Sequence, residues 1–86
     1  MAFTVHITRT AQKSLAKIDT KVRTAIVQTI RDLGDQPYPN GSKKLTGRAA
    51  WRVRVGDYRV IYETYKDDLI VLVVAIGHRS DIYKTG

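Results

Sequence analysis

Two five-residue runs, Trp51-Arg52-Val53-Arg54-Val55 and Tyr58-Arg59-Val60-Ile61-Tyr62, flank the pair Gly56-Asp57, and no other feature of the 86-residue chain constrains its fold as tightly. Alternation with a period of two marks a strand with one buried face, and a glycine in the turn can take the positive φ of a type II′ hairpin. A two-residue turn also sets the register: Val55 faces Tyr58, Arg54 faces Arg59, Val53 faces Val60 and Trp51 faces Tyr62. Residues directly opposite share a side of the sheet, so Trp51, Val53, Val55, Tyr58, Val60 and Tyr62 form an apolar face. Arg52, Arg54 and Arg59 share the other. Like charges directly across a ladder cost from a few tenths to roughly 1 kcal/mol. Exposed arginines on a strand ordinarily solvate it and discourage edge pairing. Three on one face with few acidic neighbours, two of them directly opposed, point instead to an anion bound there.

The hairpin needs something to cover its apolar face, and the first half of the chain supplies it. Phe3, Val5 and Ile7 alternate with Thr4, His6 and Thr8 as in a strand, which leaves His6 at the surface. From an N-cap at Thr8 or Thr10, Ala11, Leu15 and Ile18 recur at helical spacing. Asp19 suits the cap of a second helix, in which Val22, Ile26, Ile30 and Leu33 mark one face and Gly34 is placed to end it. The stretch 35–42, with Pro37, Pro39 and the Asn40-Gly41 pair, describes an ordered surface turn. After the hairpin, Leu69 to Gly77 is apolar nearly throughout and reads as a central strand covered on both sides. The expected fold is α+β over a single domain, residues 1–86. It has an N-terminal strand, a helical hairpin and a three-strand antiparallel meander, with the helices on one face of a curved sheet.

The formal net charge of +7 implies an acidic partner, and its placement narrows the choice. Between Lys43 and Arg59 stand six cations, Lys43, Lys44, Arg48, Arg52, Arg54 and Arg59, against Asp57 alone. Lys43 and Lys44, read as loop residues, and Arg48 are candidates for positioning phosphates. His78, Arg79 and Tyr83 follow the apolar strand, and a meander returns them to the end of the sheet that carries the Gly56-Asp57 turn. Guanidinium forks suit phosphate oxygens, and an aromatic ring or hydroxyl suits a base or ribose. RNA is the expected ligand.

Other chemistries find little support. The chain has no cysteine, no glycine-rich phosphate loop, no His-x-x-x-His pair and one glutamate, Glu63, so neither a thiolate zinc site nor a paired-carboxylate site is expected. No metal and no cofactor are expected. The N-terminal residues lack a basic segment leading into an apolar run, and no stretch approaches the ~18 apolar residues of a membrane span. A cytoplasmic protein without membrane contact is the expectation.

The segments Lys44-Leu45-Thr46-Gly47, Trp51 through Glu63, and Ile76-Gly77-His78-Arg79-Ser80-Asp81-Ile82-Tyr83 resemble the RelE toxins of bacterial and archaeal type II toxin-antitoxin modules. The resemblance spans nearly the whole chain. It implies a RelE/ParE-type fold, endoribonuclease cleavage of messenger RNA in the ribosomal A site, and neutralisation by a cognate RelB-like antitoxin that wraps the toxin. It further implies contact with operator DNA only through the antitoxin complex. Carried over position by position, the catalytic residues would be Arg52, Arg54, Arg59, Arg79 and Tyr83, with Lys43, Lys44, Arg48 and His78 binding RNA. In the best-known RelE pattern the positions of Arg52 and Arg54 hold lysines. A buried lysine can give up its proton at useful pH and an arginine effectively cannot, so arginine at these positions suits electrostatic work better than general-base catalysis. Two rivals remain: a non-catalytic ParE-like toxin that inhibits DNA gyrase by binding, and a plain nucleic-acid-binding domain.

Overall fold

A computed structural model describes residues 2–47 and 49–80. The chain forms β1 (Thr4–Ile7), α1 (Arg9–Ala16), α2 (Thr20–Asp35), β2 (Lys43–Lys44), β3 (Ala50–Val55), β4 (Tyr58–Tyr65) and β5 (Ile70–His78). The strands make one mixed sheet in the order β1-β5-β4-β3-β2. Strands β2 to β5 are antiparallel neighbours, and β1 joins the outer edge of β5 in parallel. Both helices pack on one side. The α+β class and the helix-on-sheet arrangement are as expected, with β2 as an addition. Two lysines between loop residues carry no strand signal of their own, and only pairing with Arg52 and Trp51 makes Lys43 and Lys44 a strand rather than the loop expected for them.

Local chemistry accounts for the helix boundaries. Thr8 is the N-cap of α1, its hydroxyl accepting from the Ala11 amide, and Asp19 caps α2 by accepting from the Lys21 amide. Ile26, Ile30 and Leu33 then bury one stripe of α2. Gly34 does not end this helix, which runs one residue further. It sits where α2 crosses β1: a Cβ there would lie 3.1 Å from the Phe3 carbonyl oxygen and 3.3 Å from Val5 Cγ2. The Phe3 amide also donates to the Gly34 carbonyl at 2.6 Å. Helix and strand therefore touch backbone to backbone. Gly34→Val is expected to lower the stability by about 1–3 kcal/mol through overpacking, measured as an earlier midpoint in urea unfolding.

The core lies between the helices and the inner face of the sheet. Val53, Val60, Tyr62, Val71, Val73 and Ile76 supply the sheet side, and Ala11, Ile18, Ile26, Ile30 and Leu33 the helical side. Each large apolar side chain buried here contributes about 1.5–3 kcal/mol. β5 is an inner strand, but it is covered on one face only. Val71, Val73 and Ile76 are buried, whereas Ile70, Leu72 and Ala75, which pair with Tyr65, Glu63 and Ile61, keep partial exposure on the far face. An apolar run is compatible with burial on either side, and among the described residues no layer covers the far face of β5. A register shift between Ile61 and Tyr62 adds a bulge that bends the β4–β5 pair.

The segment 36–42 is held down at several points. The Tyr62 hydroxyl donates to the Pro37 carbonyl at 2.7 Å, and the Tyr38 hydroxyl shares a 2.9 Å hydrogen bond with Thr64. The Tyr38 ring rests against Trp51, with centroids 4.6 Å apart, and Lys66 Nζ lies 5.5 Å from the Tyr38 centroid. This segment forms the ordered turn expected from its prolines. Among the described residues, no helix is long and apolar enough to cross a membrane.

Candidate functional site

The far face of the sheet carries the arginines, and the hairpin register puts them there. β3 and β4 pair Arg54 with Arg59, Val53 with Val60 and Trp51 with Tyr62. Gly56, with a φ of 60°, makes the turn. β5 extends the ladder by pairing Gly77 with Arg59, and β2 extends it on the other side by pairing Lys43 with Arg52. One row across the sheet therefore reads Arg54, Arg59, Gly77, and the next reads Lys43, Arg52, Ile61, Ala75. Arg52, Arg54, Arg59 and Lys43 share a face. Lys44, paired with Trp51, turns to the helical side.

Within this face Arg59 stands apart. It is 8% exposed, whereas Arg54 directly opposite is exposed and Arg52 is half-buried. The Arg59 Nε is buried without a hydrogen-bond partner, and one terminal nitrogen donates to the Tyr58 carbonyl at 3.3 Å. No carboxylate among the described residues meets it. A buried guanidinium without a counter-charge costs stability, and that cost falls only if an anion completes the site. The neighbour on its β5 side is Gly77, which places no side chain over the row.

The residues after β5 divide between the two sides. The Arg79 amide donates to the Asp57 carbonyl at 2.8 Å, so the exposed Arg79 stands beside the turn that joins Arg54 to Arg59. Strand alternation puts position 79 in phase with Gly77 and Arg59. His78 pairs with Tyr58 and shares its side, the helical one. The two rings meet edge to face with centroids 5.6 Å apart. The Ser80 amide donates to His78 Nδ1 at 3.2 Å. An amide can only donate, so Nδ1 is the accepting nitrogen and the neutral ring carries its proton on Nε2. The structure therefore brings Arg52, Arg54, Arg59, Lys43 and the Arg79 backbone to one end of the far face, and it keeps His78 and Lys44 off that face. Arg48 and Tyr83 lie outside the described residues.

Two features of the site escaped the sequence reading. Burial of Arg59 depends on its inner position in a five-strand sheet, which a hairpin pattern does not reveal. Ile61 and Ala50, 7% and 1% exposed, form an apolar floor beneath the arginines, although both alternate in phase with the charged residues. An apolar floor lowers the local dielectric and strengthens any charge interaction above it. Among the described residues no three His, Asp or Glu side chains are grouped to hold a metal ion.

Comparison with known proteins follows the same lines. Residues 5–83 match the family described as the ParE toxin of the type II toxin-antitoxin system parDE. The chain is 31% identical over 88 residues to toxin RelG of Mycobacterium tuberculosis, covering 98% of this chain and 99% of that protein. Among solved structures, the archaeal RelE-RelB complex from Pyrococcus horikoshii contains a chain that superposes with a TM-score of 0.84 at 25% identity, covering 94% of this chain and 99% of that one. The toxin-antitoxin complex RelBE2 of M. tuberculosis gives a TM-score of 0.81 at 27% identity, covering 92% and 100%.

Proposed function

The chain belongs to the RelE/ParE superfamily of toxins from type II toxin-antitoxin systems, and we propose that it is the toxin that cleaves messenger RNA on the ribosome without a metal ion. The observation that carries this reading is the buried Arg59, its Nε unsatisfied, placed directly across the ladder from Arg54 on a face floored by Ile61. A protein that only docks on a partner through surface charge has no need to bury one of its cations.

RNA brings its own nucleophile, the ribose 2′-hydroxyl. In-line attack forms the bond from O2′ to phosphorus and breaks the bond from phosphorus to O5′. One proton leaves O2′ and one is delivered to O5′, so the products are a 2′,3′-cyclic phosphate and a 5′-hydroxyl. Arg59 and Arg79 are assigned to the phosphate that gains charge, where a preorganised donor is worth about 3–4 kcal/mol. Arg52 and Arg54 hold the flanking phosphates, and Lys43 extends the basic track on the same face. The proton transfer is assigned to Tyr83; the His78 ring, on the helical side against Tyr58, takes no part in it. On this reading the ribosome and its message are the substrate assembly, and a RelB-like antitoxin is the inhibitor.

Primer extension on a message under translation, with and without the protein, tests the proposal. New 5′ ends are expected only when ribosomes translate that message, and they are expected to persist in EDTA. Loss of the ends in EDTA would overturn the metal-free mechanism. Protein-dependent arrest of DNA gyrase, with no new 5′ ends, would favour the ParE-like reading that the family match also accommodates.

A further inference from the structure

His78 lies off the arginine face, yet its ring is tied to the stretch of backbone that carries Arg79. β5 ends at His78, and the chain beyond it keeps one ladder bond, from the Arg79 amide to the Asp57 carbonyl. Two further bonds close on the ring. The Ser80 amide donates to His78 Nδ1 at 3.2 Å, and the Ser80 hydroxyl lies 2.8 Å from the same nitrogen. A nitrogen that accepts from an amide carries no proton, so the hydroxyl donates to it as well. Both bonds span two residues and enclose Arg79. Asn and Asp side chains stabilise turns in their own backbone through the same spacing.

The ring itself has a fixed seat. It meets Tyr58 edge to face, and Tyr58 packs in turn against the buried core. Support therefore runs from the core through Tyr58 to the imidazole, and from the imidazole to the residue that follows Arg79. Arg79 needs such support. It enters an end of the sheet that already holds Arg54 and Arg59, and like charges push an arginine on a loose chain end away. Its own side chain is exposed, with no packing to hold it. Stabilisation of developing charge depends on a donor that is in place before the reaction starts.

We propose that His78 is a positioning residue: its Nδ1 holds the turn at Arg79-Ser80 and so sets the Arg79 guanidinium at the phosphate that gains charge. The inference rests on the nuclease reading above and adds a residue to it. The imidazole acts through the backbone, from the helical side of the sheet, across from the arginines.

Single-turnover cleavage on programmed ribosomes, with wild type, His78→Phe and His78→Asn as full chains, tests the proposal. His78→Phe keeps a ring against Tyr58 and removes the acceptor. It is expected to cut about 10- to 100-fold more slowly, the scale of a slightly misplaced group, at an unchanged half-saturating ribosome concentration. His78→Asn removes the ring and keeps an acceptor two residues before the Ser80 amide. It is expected to cut within about threefold of wild type. Amide hydrogen exchange reads the turn directly: at Ser80 it is expected to be about 2- to 10-fold faster in His78→Phe and unchanged in His78→Asn. Equal slowing of cleavage by both substitutions would overturn the proposal, since the ring and not the acceptor would then matter. Wild-type cleavage by His78→Phe would overturn it too. The two readings fail separately: a wild type that makes no cut sinks the nuclease, and unchanged Ser80 exchange in His78→Phe sinks this inference whatever the cutting.

Discussion

Replacing Arg59 by methionine is expected to slow cleavage of ribosome-bound message by about 10²- to 10³-fold while leaving the fold as stable as before or more so. The two halves of this expectation have one cause. Arg59 is 8% exposed, and its Nε has no partner. Exchanging a buried, uncompensated charge for an apolar side chain of similar volume is neutral to stabilising by about 1–4 kcal/mol. On the proposed chemistry, the same exchange removes a fixed donor from the place where phosphate charge would develop. Single-turnover cleavage on programmed ribosomes measures the first effect and urea unfolding the second. Ribosome affinity should stay within a few-fold of wild type, because Arg54, Arg79 and the lysines remain. A variant that loses cleavage and ribosome binding in equal measure would show that Arg59 only docks the protein. One that loses stability by several kcal/mol would show that its guanidinium is a structural group.

The largest effect on folding is expected at Tyr62. Its ring is fully buried at the centre of the sheet, and its hydroxyl holds the Pro37 carbonyl of the segment 36–42. Tyr62→Ala should cost about 3–5 kcal/mol from the cavity alone, a large share of the roughly 5–15 kcal/mol that a small domain commands. Tyr62→Phe keeps the packing and loses the hydrogen bond, for about 1–3 kcal/mol. Burial also pushes the Tyr62 phenol up to about 12 from its ordinary value of 10.0. The folded state then holds its proton where the unfolded state has released it. Stability from this group is complete below pH 10 and is lost as pH rises from 10 towards 12. Unfolding followed through the single tryptophan, Trp51, should show wild type losing stability across that window and Tyr62→Phe losing less. An identical alkaline profile for both proteins would place the titration elsewhere.

Much of this molecule is legible without coordinates, for reasons that vary along the chain. Hairpin register followed from the two-residue turn at Gly56-Asp57, since turn length leaves no freedom in which residues face each other. The caps at Thr8 and Asp19 were readable because capping is an interaction within three residues. Where an outcome depended on residues far apart, the sequence pattern was silent or misleading. Gly34 looks like a helix terminator, and its use as the close approach between α2 and β1 emerges only when Phe3 lies against it. Lys43 and Lys44 look like loop, and become a strand because β3 offers an open edge. The apolar run from Leu69 to Gly77 looks buried on both sides, yet among the described residues a helical layer covers one face alone.

By itself the sequence determined the α+β class, the one-sided arginine hairpin and a charge that calls for an anionic partner, because these depend on periodicity and on turns spanning a few residues. Only the tertiary structure decided that Arg59 is buried with its Nε unsatisfied, that Gly77 is its neighbour on β5, and that His78 faces the other way. Burial and facing are set by which strands become neighbours, and neighbours in this sheet, such as β1 and β5, come from opposite ends of the chain.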